Sequence, residues 1–167
     1  ALATAYGGRD GTTTYAFPTS THQIAHGSTG LNLTKLLTAK EILDSYENDP
    51  DEPRFLALSA KQVTSLLNTT EIKSADYNTV KALAAGQIDT FLGFKFIRTE
   101  RLTKVSSTRS CLAWSQNSIL LGIGTDIITR VSERADKNYA TQVYVGMFIG
   151  ATRMDEKGVV EIQATET

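Results

Sequence analysis

His22 and His26 stand four residues apart, the spacing at which two imidazoles on one helix face could share a metal ion. They lie in STHQIAHGSTG, where glycine and threonine argue against a helix and no cysteine or acidic pair stands near, so they read as loop histidines and no metal site is expected. Gly122 to Gly124 reads GIG without the third glycine or the following acidic residue of a dinucleotide fingerprint, which predicts a tight turn. Cys111, in the apolar run CLAW, has no recognisable histidine partner and reads as a packed thiol. The acidic stretch Glu47 to Glu52 lacks the ligand spacing of a calcium loop. G-x-S-x-G, P-loop and H-E-x-x-H patterns do not occur. These residues predict no enzyme, no catalytic residue and no cofactor.

One constellation reads differently. Arg130, Glu133, Arg134, Asp136 and Lys137 alternate in sign just ahead of a long apolar segment. They fit a solvated face, where an exposed pair is worth under about 1 kcal/mol, or a subunit contact, where mixed charges set register between copies. The segment that follows, Tyr139 to Ala151, alternates as one strand of roughly 43 Å at about 3.3 Å per residue. Tyr144 and Phe148 fall on one of its faces, Val143, Val145, Met147 and Ile149 on the other. A strand about twice the common length and covered on both sides suits a subunit laid against neighbours better than a small isolated domain. A four-residue turn and a second strand, VVEI, are read as completing a terminal ribbon, Tyr139 to Ile162.

The elements that must position this segment are legible upstream. The 167 residues can form one packed domain or two small lobes without disulfides or metal. The 17 Lys and Arg nearly cancel the 18 Asp and Glu, which excludes a global field drawing the chain onto nucleic acid or anionic lipid. No apolar run reaches the roughly 18 residues that span a bilayer, so no membrane partner is expected. Residues 1–30 are rich in Gly, Ser and Thr and read as turns and an extended arm. Leu33, Leu36, Leu37, Ile42, Leu43 and Tyr46 share one face of a helix that must end before Pro50. In RFLALSAKQVTSLLN a strand at Phe55 to Leu58 passes directly into a helix, with Ser59 and Gln62 as a capping box and Leu58 and Val63 as a hydrophobic staple. A further helix is predicted from about Asp76 to Ala85, ending at Gly86. IDTFLGFKFI predicts a strand bent or bulged at Gly93, CLAW a buried strand, and SQNSILLGIG a short helix or turn.

The order of these segments resembles the C-terminal two thirds of a tailed-bacteriophage major capsid protein, the family with the Hong Kong 97-type fold. The resemblance covers nearly the whole chain and rests on the strand-to-helix unit Arg54 to Asn68, the FLGFKFI strand, and the VSERADKN approach to the long strand. It implies an α+β fold with an axial domain, a central sheet flanked by helices, at 31–125 and 155–167. It also implies a partial peripheral domain carrying a long β-ribbon at 1–30 and 126–154. DIITRVSERADKNYATQVYVGMFIG would be that ribbon, and VVEIQAT would return beside RFLAL.

The implied function is structural: self-assembly into the icosahedral shell that encloses the genome. Arg130, Glu133, Arg134, Asp136, Lys137, Tyr144 and Phe148 would lie at subunit interfaces, and Ser74, Asp76, Tyr77 and Asn78 in the loop at the capsomer axis. The implied partners are other copies in pentamers and hexamers, scaffolding and portal proteins during assembly, and double-stranded DNA enclosed without sequence recognition. The implied location is the virion, assembled in the bacterial host cytoplasm. The family's N-terminal arm, extended loop and most of its spine helix would precede ALATAYGGRDG, so a processed product or fragment is expected. Some members crosslink neighbours through a Lys to Asn isopeptide bond helped by a buried Glu; no Asp or Glu lies between Tyr139 and Thr152, and that chemistry is not carried over. An encapsulin-type compartment with the same fold stays open as an alternative, as does a stand-alone binding or enzymatic domain with a concave pocket.

Overall fold

The computed structural model describes residues 2–7, 9–46, 49, 51–68 and 90–166. It divides into two compact units, Ala1–Ile119 with Arg153–Thr167, and Leu120–Thr152. The first is built around a mixed sheet of β3 (Gln23–Ile24), β11 (Val159–Thr165), β8 (Thr108–Ser115), β4 (Arg54–Leu58), β6 (Phe94–Arg98) and β5 (Thr90–Phe91), in that order. A short β7 (Lys104–Val105) pairs with β8. Two of the contacts are parallel, β11 with β3 and β4 with β6; β8 lies antiparallel between β11 and β4. Residues 1–30 belong to this unit and contribute a small hairpin, β1 (Ala5–Gly7) with β2 (Thr13–Tyr15), the single helical turn α1 (Thr19–His22), and β3.

One sheet face is dry. Alternation puts Leu56 and Leu58 of β4, Phe94 and Phe96 of β6, Cys111 and Ala113 of β8, and Val160, Ile162 and Ala164 of β11 on a common side. Against it pack α2 (Leu33–Ser45), through Leu36, Ala39 and Leu43, and α3 (Ala60–Leu67), through Leu66. Each fully buried leucine removes enough apolar surface to stabilise the unit by roughly 2 kcal/mol. The predicted helix α2 is present and stops at Ser45, with Asn32 capping it by accepting from the Lys35 backbone amide at 3.0 Å; Leu37, read onto its apolar face, is instead exposed, since the buried stripe runs through Leu36, Ala39 and Leu43. Lys35 is nonetheless buried. Its ammonium donates to the carbonyls of His26, Thr29, Gly30 and Gln163 at 2.8–3.1 Å, tying the loop ahead of α2 to β11, while burial pushes its pKa down.

Several local expectations are corrected. The IDTFLGFKFI stretch is not a bulged strand but a hairpin: Leu92 and Gly93 both take positive φ, 52° and 84°, and close a two-residue turn that pairs Phe91 with Phe94. Ser59 does occupy the N-cap of α3, but no capping box forms. The amide of Ala60 is met instead by Glu100 Oε1 at 2.8 Å, and Gln62 Oε1 accepts from the amide of Leu31. The terminal segment Tyr139 to Ile162 is not one ribbon. β10 (Ala140–Arg153) pairs with β9 (Ile119–Arg134), whereas β11 joins the large sheet. β11 lies beside β8, not beside RFLAL, because β8 takes the intervening place. Only Gln116–Ser118 form the short helical turn expected in SQNSILLGIG; from Ile119 onward the chain is extended, and GIG sits inside β9. β-branched Ile119, Ile123 and Ile127 favour the strand over the turn that the glycines suggested. The helix predicted over Asp76 to Ala85 lies outside the described residues.

Candidate assembly surface

The unit Leu120–Thr152 is a two-stranded ribbon of β9 and β10. A side chain added at Gly124 would meet Phe148 Cβ at 3.6 Å, and one at Gly122 would meet the Gly150 carbonyl oxygen at 3.8 Å, so the strands run antiparallel with these residues side by side. From that pairing the two faces separate by parity. One carries Leu121, Ile123, Ile127 and Val131 on β9 with Val143, Val145, Met147 and Ile149 on β10, and no charge between residues 121 and 131 or 141 and 151. The other carries Leu120, Asp126, Ile128 and Arg130 with Tyr144 and Phe148, and all four ribbon glycines, Gly122, Gly124, Gly146 and Gly150. Tyr144 lies along its own strand, its hydroxyl 2.8 Å from where a Cβ on Gly146 would stand.

Large apolar side chains stand exposed on both faces. Phe148 is 69% exposed, Val143 66% and Ile127 63%. Eight large apolar residues on the charge-free face, each 41–71% exposed, leave on the order of 800 Å² open, which is the share one partner gives to a standard protein interface. Monomers rarely leave so large a contiguous patch in water.

The tip of the ribbon gathers part of the charged constellation. After a short helical turn, Ala135–Lys137, the left-handed residues Asn138 and Tyr139 (φ 52° and 57°) reverse the chain. Arg134 and Asp136 form a bidentate pair within the chain, with Nε donating to Oδ1 at 2.9 Å and Nη2 to Oδ2. The pair holds Asp136 below the usual carboxylate range and raises Arg134. Arg130, Glu133 and Lys137 have no ion-pair partner among the described residues. Ser74, Asp76, Tyr77 and Asn78 lie outside the described residues.

In the sheet unit, chemistry-bearing side chains serve packing. His22 is buried and stacks on Tyr46 at 5.0 Å between centroids; His26 Nδ1 accepts from the Ser28 amide. The Cys111 thiol is fully buried, which pushes its pKa up to about 12. Sequence reasoning missed one group altogether. Glu166 is 4% exposed and gathers Ser59, Gln62, Lys104 and Arg109, while Arg109 also reaches Glu100. Burial alone would raise its pKa, but these donors outweigh that and hold it at about 2. Its partners lie 57 to 107 residues away in the chain, and the one local signal, Ser59 with Gln62, reads as a cap. Among the described residues no helix is long and apolar enough to cross a membrane.

The model of the family described as "Phage capsid protein" matches residues 1–166. No curated protein sequence matches the chain. Among solved structures, the capsid of Ralstonia phage GP4 superposes with a TM-score of 0.67 at 12% identity, over 94% of this chain and 56% of that one. Mycobacterium phage Che8 gives 0.60 at 16% identity, over 81% and 53%. The SrpI encapsulin of Synechococcus elongatus gives 0.61 at 7% identity, over 91% and 57%. The chain thus spans a little over half the length of these structures, and at such identities the likeness establishes the fold, an α+β fold of the Hong Kong 97 type.

Proposed function

The chain belongs to the phage capsid protein family, and from that premise we propose that it is a tailed-phage major capsid protein whose copies associate through the ribbon into an icosahedral shell. The observation that carries this reading is the ribbon itself: two long strands with large apolar side chains exposed on both faces, one of them free of charge along most of its length. The hydrophobic effect makes such a surface costly in a monomer and favourable in a lattice of like subunits. Arg130, Glu133 and Lys137, open at the tip, would set register between copies, while the internally paired Arg134 and Asp136 would stiffen the turn. Ser74, Asp76, Tyr77 and Asn78 would line the capsomer axis, where one sequence meets its neighbours in both pentamers and hexamers. Scaffolding and portal proteins would join during assembly in the host cytoplasm, and the shell would hold double-stranded DNA without reading its sequence. A compartment of the encapsulin type shares the fold; the family match favours the phage shell.

Tyr144→Asp and Phe148→Asp test the ribbon. An unpaired carboxylate buried at a contact costs several kcal/mol, so each variant is expected to stay folded by circular dichroism yet form no shells by negative-stain microscopy. Normal particles from either variant would refute the assignment.

A further inference from the structure

The charge of the chain is balanced overall but not evenly spread. Strand β6 ends at Arg98, and the loop that follows, Thr99 to Thr103, meets the start of α3. The Thr99 amide donates to the Leu58 carbonyl at 2.9 Å, and Glu100 Oε1 accepts from the Ala60 amide at 2.8 Å, which brings Lys61 beside the loop. Arg109 fixes the loop's shape, with one guanidinium nitrogen donating to the carbonyls of Glu100 and Leu102 at 3.0 and 3.1 Å.

Five cations gather here, Lys61, Arg98, Arg101, Lys104 and Arg109, with two carboxylates, Glu100 and Glu166. Both carboxylates are already engaged. Glu100 meets the Ala60 amide with one oxygen and Arg109 with the other; Glu166 takes Ser59 and Gln62 on one oxygen and Arg109 and Lys104 on the other. Lys61, Arg98 and Arg101 stay exposed and have no ion-pair partner among the described residues. The patch carries three positive charges in excess within a chain of formal net charge -1, so it is a local concentration and not a share of an overall field. Stability does not account for it. A lysine in the first turn of a helix opposes the macrodipole, and exposed arginines without a carboxylate partner add nothing to the fold.

What the patch can accept follows from what surrounds the charges. The loop has no aromatic ring on which an unpaired base could stack, and no Asn or Gln to read a base edge. Its one apolar side chain, Leu102, packs against the core, so a protein partner would find no desolvated centre there. Two guanidiniums and an ammonium on a loop already held in shape suit a phosphate backbone, whose oxygens arginine binds two at a time.

We propose that Lys61, Arg98 and Arg101 form a contact site for the phosphate backbone of double-stranded DNA. The choice of polyanion rests on the shell reading above. Three phosphates per copy make a weak site, and many copies in one shell would hold the duplex together while each contact stays easy to release.

The test titrates the full chain against a short labelled duplex by fluorescence anisotropy. Three neutralised phosphates give a slope of about -2.7 in log K against log salt, so affinity is expected to fall about fortyfold between about 0.05 and 0.2 M. Arg98→Gln with Arg101→Gln removes two contacts: the slope should shrink to about -0.9, and affinity at the lower salt should drop at least about tenfold. Lys61→Gln, tested alone, should shrink the slope by about 0.9. Arg9→Gln with Lys95→Gln removes as much charge as the arginine pair at exposed positions outside the patch and should change neither slope nor affinity. Thermal melts check that each variant folds. The proposal is overturned if wild type does not bind, if the patch variants keep the wild-type slope, or if the outside pair weakens binding as much as the arginine pair. Polyglutamate that displaces the duplex as well as unlabelled duplex of equal charge does would assign the patch to an acidic protein segment and also overturn it. Shells are read separately by negative-stain microscopy. Wild-type shells without patch-dependent binding overturn this contact alone, whereas patch-dependent binding by a chain that forms no shells supports the contact and overturns the shell reading.

Discussion

Replacing Glu166 by Gln removes one charge from the most heavily bonded side chain of the sheet unit and keeps its shape. In the folded chain the carboxylate is held at about 2 against an ordinary value of 4.5, because donors from Arg109, Ser59, Gln62 and Lys104 outweigh the burial that opposes ionisation. A difference of about 2.5 units at roughly 1.36 kcal/mol each corresponds to about 3 kcal/mol of stability. The sign follows from the order of protonation. The unfolded chain takes up its proton first, so the contribution is complete above pH 4.5 and fades as pH falls toward 2. Urea unfolding followed from pH 7 to pH 2 should therefore place Glu166→Gln about 3 kcal/mol below wild type at neutral pH, with the two curves converging in acid. Ser59→Ala removes one donor to the same charge and should cost about half as much. Two curves that stay parallel across the range would refute the reasoning, since a fixed offset means that packing, not ionisation, carries the loss.

Two further outcomes are expected. His22 is buried against Tyr46 and its pKa is lowered, chiefly by desolvation and against the pull of Glu156 and Asp155, so the unfolded chain protonates first below the ordinary 6.5 and stability should fall as pH drops from 7 to 5. His22→Phe keeps the stack and should flatten that part of the curve in thermal melts; an unchanged slope would show that other groups cause it. Exchanging Ser74 to Asn78 for a Gly/Ser linker of equal length should leave thermal stability unchanged but shift particle diameter or the pentamer to hexamer ratio by electron microscopy, and particles identical to wild type would remove the segment from the axis.

Helix α2 and the strand-to-helix unit at Arg54 were legible because their signals are local: leucines three and four apart, and an apolar strand running into a serine. Where the readings failed, a longer-range term decided. Gly122 and Gly124 look like turn residues until β10 is known to lie beside them with Phe148 against Gly124, which makes the glycines part of a flat strand. VVEI looks like the return strand of a hairpin because it follows a short turn, yet all seven residues of the strand it opens, β11, are in register with β8, about fifty residues earlier in the chain. Ser59 and Gln62 have the spacing of a cap, but the Ser59 hydroxyl donates to a buried carboxylate 107 residues away, a charge-assisted bond that fixes the side chain toward Glu166 and not over the first amides of α3. The ribbon as a candidate assembly surface was visible in the alternation of Tyr139 to Ala151, and its first strand from Asp126 only through the family resemblance; the start of that strand, Ile119 to Thr125, was missed because apolar residues with glycines at 122 and 124 satisfy strand and turn patterns alike.

The contrast between the two units bears on when each can form. The sheet unit closes a dry core of its own and pairs its central strands β11, β8, β4 and β6 on both sides, so its stability is intrinsic. The ribbon has two strands, two open edges among the described residues and no core. An isolated hairpin is marginal in water, and long open edges invite further pairing. Its order must then be linked to whatever covers it: a partner that binds only the formed ribbon stabilises it by mass action, increasingly so as subunit concentration rises. A ribbon that gains its full stability only on association would also protect the subunit from premature closure, because the surface that drives assembly is the part that assembly completes. The expected signature is slow amide exchange across β4, β8 and β11 in the free chain and fast exchange along β9 and β10, with protection of the ribbon appearing as assembly proceeds.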